Sequence, residues 1–72
     1  MPKGATQKGL ERRRRIATYV AAYTGSRGYG PTLVEVAKAI GLSNTATRFH
    51  IERMVAEGEL RRAAGHRTIS LP

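Results

Sequence analysis

Seventy-two residues without a cysteine make one small domain that no disulfide framework or thiolate metal site can staple. Thirteen Lys and Arg against five acids give a formal net charge of +8, a balance that in a small domain points to a polyanion, nucleic acid ahead of a membrane surface. No apolar run is long enough for a membrane span and MPKGATQKG lacks the apolar core of a secretory signal, so a soluble cytoplasmic protein of modest stability is expected.

Residues 1–8 are small, polar and glycine-bearing and read as a flexible arm ahead of one domain, 9–72. A first helix is expected from about Leu10 to Tyr23, because Ile16, Tyr19, Val20 and Tyr23 repeat at helical spacing. Gly25, Gly28, Gly30 and Pro31 then end it and supply a loop. Thr32 and Glu35 form a T-x-x-E capping box that opens a short second helix, Leu33 to Ile40, with Leu33, Val36, Ala37 and Ile40 on its buried stripe. Gly41 stands where a helix end needs a positive φ, and Ser43 is a good N-cap for a third helix from Asn44 to about Glu57, stopped by Gly58. After Leu60 the period changes. Two short strands around a basic turn are expected, with Ile69 and Leu71 facing inward in alternation with Thr68 and Ser70. Helix, helix, turn, helix, hairpin is the order of a winged helix-turn-helix: mainly α, three helices plus a β-hairpin wing.

At about 100° per residue, Ile51 points the third helix at the core, with Thr47, Met54 and Val55 beside it. His50 and Arg48 fall on opposite flanks. Thr45, Ala46, Phe49 and Arg53 fall on the far face, with Glu52 at its edge. A face made only for solubility carries charges; this one carries small residues, a hydroxyl and a ring. Such residues approach a base edge closely, and a ring or methyl packs on a thymine methyl. The competing reading tucks Phe49 against the first helix as ordinary core.

The stretch GLSNTATRFHIERMVAEGEL, Gly41 to Leu60, resembles the helix-turn-helix of bacterial winged-helix regulators, matching their pattern at Gly41, Leu42, Ser43, Ile51, Met54, Gly58 and Leu60. Two places differ: Thr47 stands where that pattern has Val, and Ala46 where it has Thr. Upstream, Tyr19-Val20, Gly28-Tyr29, Pro31-Thr32 and Glu35-Val36-Ala37 resemble the N-terminal DNA-binding domain of the LexA repressors in particular. The resemblance runs from about Ile16 to Leu71. It implies a third helix in the major groove, a wing on the backbone or minor groove, and Ser43, Thr45, Ala46, Arg48 and Phe49 as reading residues, with Asn44 beside them. The turn before the third helix is about one residue shorter than in LexA sequences, which implies a different docking angle. LexA-type repressors continue into a self-cleaving peptidase domain; these residues hold no Ser-Lys pair, and self-cleavage is not expected of them.

Arg12 to Arg15 sweep around the first helix. Phosphate contact by one or two of them, with Arg12 and Arg15 as candidates, stands against a solvated face whose aliphatic stems cover apolar surface. Arg61, Arg62, His66 and Arg67 surround the wing turn, where like charges repel unless an anion draws them together, so they are expected to touch phosphate. Arg27 and Lys38 could reach a flanking phosphate or be plain surface cations. Tyr19 and Tyr23 are expected in the core, and His50 half-buried on its helix without a metal. Glu52, Glu57 and Glu59 are expected to pair locally with Arg53, Arg61 and Arg62.

No Asp, Cys, paired carboxylates or phosphate loop supports catalysis, and no cofactor, metal or small ligand is expected. The function expected is sequence-specific double-stranded DNA binding by a small repressor-like transcription regulator of bacterial or phage type. A recombination accessory factor loading cooperatively on DNA is the alternative, and a protein-interaction module anchored by Phe49 a second. One module buries only about 600–1,000 Å² of protein on DNA, so a homodimer, free or formed only on DNA, or cooperative loading would supply the remaining affinity. No heptad helix or other dedicated dimer element is visible.

Overall fold

The computed structural model describes residues 7–62 and 69–72. Its elements run α1 (Gln7–Arg27), α2 (Leu33–Ile40), α3 (Asn44–Ala56), β1 (Arg61–Arg62) and β2 (Ile69–Ser70). The expected three helices and hairpin are present. The two strands pair antiparallel, Arg61 opposite Ser70 and Arg62 opposite Ile69. Among the described residues no helix is long and apolar enough to cross a membrane.

The helix α1 is longer than its apolar stripe at both ends. It begins at Gln7, inside the segment expected to be an arm, and runs through Gly25 to Arg27. A single glycine costs a helix only about 1 kcal/mol, and local contacts offset it here. The Arg27 guanidinium lies 4.4 Å from the Tyr23 ring centroid. The chain leaves the helix at Gly28, whose φ of +82° suits glycine and whose N–H donates to the Thr24 carbonyl at 2.7 Å.

Local chemistry bounds α2 and α3 closely. The Glu35 N–H donates to Thr32 Oγ1 at 3.2 Å, and the Thr32 N–H donates back to the Glu35 carboxylate at 2.8 Å, closing the capping box. That backbone donor is the main reason the Glu35 carboxyl titrates below its ordinary value. At the far end Gly41 takes φ +75° and donates to the Ala37 carbonyl. Ser43 accepts the Ala46 N–H at 3.1 Å and starts α3. After Ala56, Glu59 donates to the Met54 carbonyl and Gly58 to that of Val55, the paired bonds of a Schellman turn.

The core joins all three helices and the wing. Ile16 and Val20 of α1 meet Leu33, Val36 and Ile40 of α2, Ile51 and Met54 of α3, and Leu60 and Ile69 flanking the wing. Tyr19 packs against this cluster, as expected. Tyr23 does not join it: half-buried, it donates its hydroxyl to Glu35 at 3.1 Å and meets the rings of Tyr19 and Tyr29. Burial, then the Glu35 carboxylate, pushes its phenol pKa up. Leu71 also departs from expectation. It is exposed, because β2 ends at Ser70 and the packed layer ends with it.

Two buried positions have sharp consequences. Gly30 is buried where the loop after α1 runs beside the wing, with the Ile69 N–H donating to the Pro31 carbonyl at 2.9 Å. A Cβ on Gly30 would collide with the Ile69 carbonyl oxygen. Thr47, fully buried on α3, has a hydroxyl with no hydrogen-bond partner among the described residues. Gly30→Ala is therefore expected to destabilise by about 2–3 kcal/mol through overpacking. Thr47→Val, which removes only the orphaned hydroxyl, is expected to stabilise by about 1 kcal/mol and raise Tm by roughly 4–8 °C. Thermal and denaturant unfolding of the two variants checks both.

Candidate nucleic-acid interface

The corner that ends α2 decides what α3 presents. Thr47, Ile51 and Met54 are the buried residues of α3, all on one side. Ser43, Asn44, Thr45, Arg48, Phe49 and Glu52 are exposed, and Ala46 and Arg53 half-buried. Phe49 is 58% exposed, so the reading that tucks it against α1 as core is overturned. Its ring meets His50 edge-on, centroids 5.8 Å apart, and the Arg53 guanidinium lies 5.9 Å from its centroid. An imidazole edge and a guanidinium thus flank an exposed aromatic ring.

Among the cations, Arg48, Arg61 and Arg62 are exposed, the last two forming β1 at the base of the wing. The expectations for His66 and Arg67 lie outside the described residues. Arg12 is half-buried near His50, whereas Arg15 is exposed beside Arg14 in a groove that α1 forms with Ala39 and Ile40 of α2. The structure thus brings Arg12 to α3 and sends Arg15 to α2. Lys38 is exposed, and Arg27 lies over the Tyr23 ring.

The α1 arginine that the structure singles out is Arg13, which the sequence reading left undistinguished within its run. Its side chain is only 15% exposed and donates to Glu57 through Nη1 at 2.8 Å and Nη2 at 3.5 Å, with Glu59 at 4.0 Å. Glu57 also meets Arg53 at 3.7 Å, so the expected Arg53 pair is present. The glutamates expected to serve Arg61 and Arg62 instead turn toward α1. A signal was available: Arg13 precedes Ile16 and Val20 by three and seven positions, on the edge of the core stripe.

His50 sits half-buried at the seam of α1 and α3. Burial first, then the Arg12 and Arg13 charges, hold its pKa below the ordinary value. Among the described residues no group of three or more His, Asp or Glu could hold a metal ion.

No family model matches the chain. Among solved structures it superposes on ORF112-Zalpha of cyprinid herpesvirus 3, described there in its binding mode to Z-DNA. The TM-score is 0.73 at 25% identity, covering 88% of this chain and 95% of that one. The chain is a winged helix-turn-helix domain. Curated relatives of this winged-helix domain include LexA repressors from Frankia casuarinae, 38% identical over 63 residues and 85% of this chain, and from Limosilactobacillus fermentum, 32% identical over 63 residues and 86% of it. A LexA repressor from Clostridium botulinum matches at 30% over 54 residues. The chain spans about a quarter of those relatives' own length, 25% and 28% of the first two. The resemblance to LexA repressors expected from its motifs is therefore present across most of the winged-helix domain.

The histidine gives this domain a pH signature. A depressed folded-state pKa means that the unfolded chain binds the proton more readily. Stability is full above the ordinary value of about 6.5 and falls as pH drops through it toward the folded value. Glu35 shifts stability only below its own ordinary range near 4.5, so the two windows separate. Denaturant unfolding at pH 7.5 and 5.5 is expected to show a loss that His50→Gln removes, and an equal loss in that variant would assign it elsewhere.

Proposed function

We propose that this winged-helix domain binds double-stranded DNA sequence-specifically, as a small repressor-like transcription regulator. In this reading α3 enters the major groove. Thr45, Ala46 and Phe49 meet base edges there, Ser43, Asn44 and Arg48 anchor its N-terminal end, and Arg61 and Arg62, with Arg67 and His66, follow the backbone or minor groove. The observation that carries it is the outward face of α3: an exposed ring beside small residues, on a helix anchored from behind by Thr47, Ile51 and Met54. The net charge of +8 supports it, as do relatives that are LexA repressors and a superposable domain described on Z-DNA. Arg12, near α3, is the α1 arginine better placed for a phosphate; Arg15, beside α2, would reach one only at the flank.

The chemistry of this reading is recognition, with no bond made or broken. One domain offers a small interface, and two copies on a two-fold site would supply the affinity that one lacks. Action on the chromosome places the protein in the cytoplasm.

Phe49→Ala tests the reading directly. Competition binding on a preferred duplex and on unrelated duplexes is expected to show the preferred site losing roughly 1–3 kcal/mol while the unrelated ones hold. Equal loss on every duplex would take the ring out of base reading. Arg61→Ala or Arg62→Ala is expected to lower the slope of log K against log salt by about one unit on all duplexes. An unchanged slope would remove that arginine from the interface.

A further inference from the structure

The cluster where α1 meets the end of α3 has a consequence beyond bracing. Arg13, Arg53, Glu57 and Glu59 bring two cations and two anions together: Arg13 to Glu57 at 2.8 Å, Arg13 to Glu59 at 4.0 Å, Arg53 to Glu57 at 3.7 Å. The group is neutral in a protein of net charge +8. Arg48 at the N-terminal half of α3, and Arg61 and Arg62 at the wing base, take part in none of these ion pairs. Among the described residues, unpaired cations thus stand at the start of α3 and at the wing base as well as on α1 and α2, whereas the C-terminal half of α3 carries Arg53 with its charge already answered.

We propose that Glu57 is a positioning residue for recognition. Tied to α1 through Arg13, it holds Arg53 beside the Phe49 ring and keeps that arginine off the DNA backbone. This rests on the DNA-binding reading above and assigns a regulation of specificity within it. A free arginine on a groove-facing helix adds attraction to every phosphate and so strengthens all sequences alike. Glu57 takes the place that a phosphate would occupy. A carboxylate attracts the same guanidinium that a phosphate would, and the hydrogen bonds from Arg13 draw Glu57 toward α1 with Arg53 3.7 Å away. Discrimination is then left to Thr45, Ala46 and Phe49, with Arg53 stiffening the ring rather than adding sequence-independent affinity.

The inference separates from simple bracing and from net charge. Glu57→Gln removes the restraint and frees Arg53. Glu52→Gln removes the same charge from an exposed position on α3 but releases no arginine. Arg53→Gln keeps the Arg13–Glu57 tie and the fold that depends on it.

The experiment is a salt titration of duplex binding from about 50 to 200 mM for the wild type and these three variants, with preferred and unrelated duplexes. One added phosphate contact steepens the slope by about 0.9, so Glu57→Gln should lose roughly 3.5-fold more affinity over that range than the wild type. It should also bind every duplex more tightly at low salt, the preferred one by the smaller factor because Phe49 loses the guanidinium beside its ring. Glu52→Gln and Arg53→Gln should keep the wild-type slope. Equal steepening in Glu52→Gln would reduce the effect to net charge, and a shallower slope by about one in Arg53→Gln would put Arg53 on a phosphate already; either overturns the proposal. Glu57→Gln with the wild-type slope and uniformly weaker binding would make Glu57 a brace and overturn it too. If Glu57→Gln fails to fold, Arg53→Gln decides alone. A wild type that binds no duplex removes the DNA reading itself, and this inference with it.

Discussion

Gly41 in the left-handed region and Ser43 capping the Ala46 N–H swing the chain from α2 into α3 across Gly41, Leu42 and Ser43, and the rest of the site depends on that corner. A short turn leaves α3 one way to bury its apolar edge. Thr47, Ile51 and Met54 go down onto α1 and α2, and Thr45, Phe49 and Arg53 are left on the outward side. The same corner fixes where the helix ends. The Schellman turn at Gly58 then delivers Leu60 to the core and the wing strands to the flank. Fold and outward face are therefore one geometric problem, and a residue that stiffens either corner also aims the exposed side of α3.

Charge is distributed with the same economy. Glu57 and Glu59 gather around Arg13, while the exposed cations near α3 sit at its start and at the wing. An exposed ion pair contributes at most about 1 kcal/mol to stability. On the proposed reading, the cluster matters through where it leaves positive potential, because long-range attraction to a polyanion steers approach and orientation before short-range contacts choose a sequence. At the same seam, burial first and then the Arg12 and Arg13 charges oppose protonation of His50.

Much of this was legible in the sequence where the signals were local. The Thr32–Glu35 capping box, Gly41, Ser43 and Gly58 bounded α2 and α3 closely, because caps are made by residues within a few positions of one another. The outward face of α3 followed from helical rotation alone, and the exposure of Phe49 removed the reading that buries it against α1. The boundary of α1 was not legible in the same way. Gly25 reads as a stop, yet Arg27 on Tyr23 and the Thr24–Gly28 bond carry the helix past it. Arg13 was hidden among three identical neighbours because its partner lies 44 residues away. Gly30 read as a loop residue; only the approach of Ile69 shows why a side chain has no room there. Long-range contacts decide such cases, and no local pattern contains them.

The central claim is that the outward face of α3 reads DNA sequence. Selection of bound duplexes from a random pool, repeated at two salt concentrations, tests it most directly. One motif is expected to persist at the higher salt, two-fold symmetric if two copies bind together, because base contacts survive screening that weakens phosphate contacts. A pool that yields no motif, with binding that vanishes as salt rises, would reduce the cations to non-specific attraction and contradict the assignment of Thr45, Ala46 and Phe49.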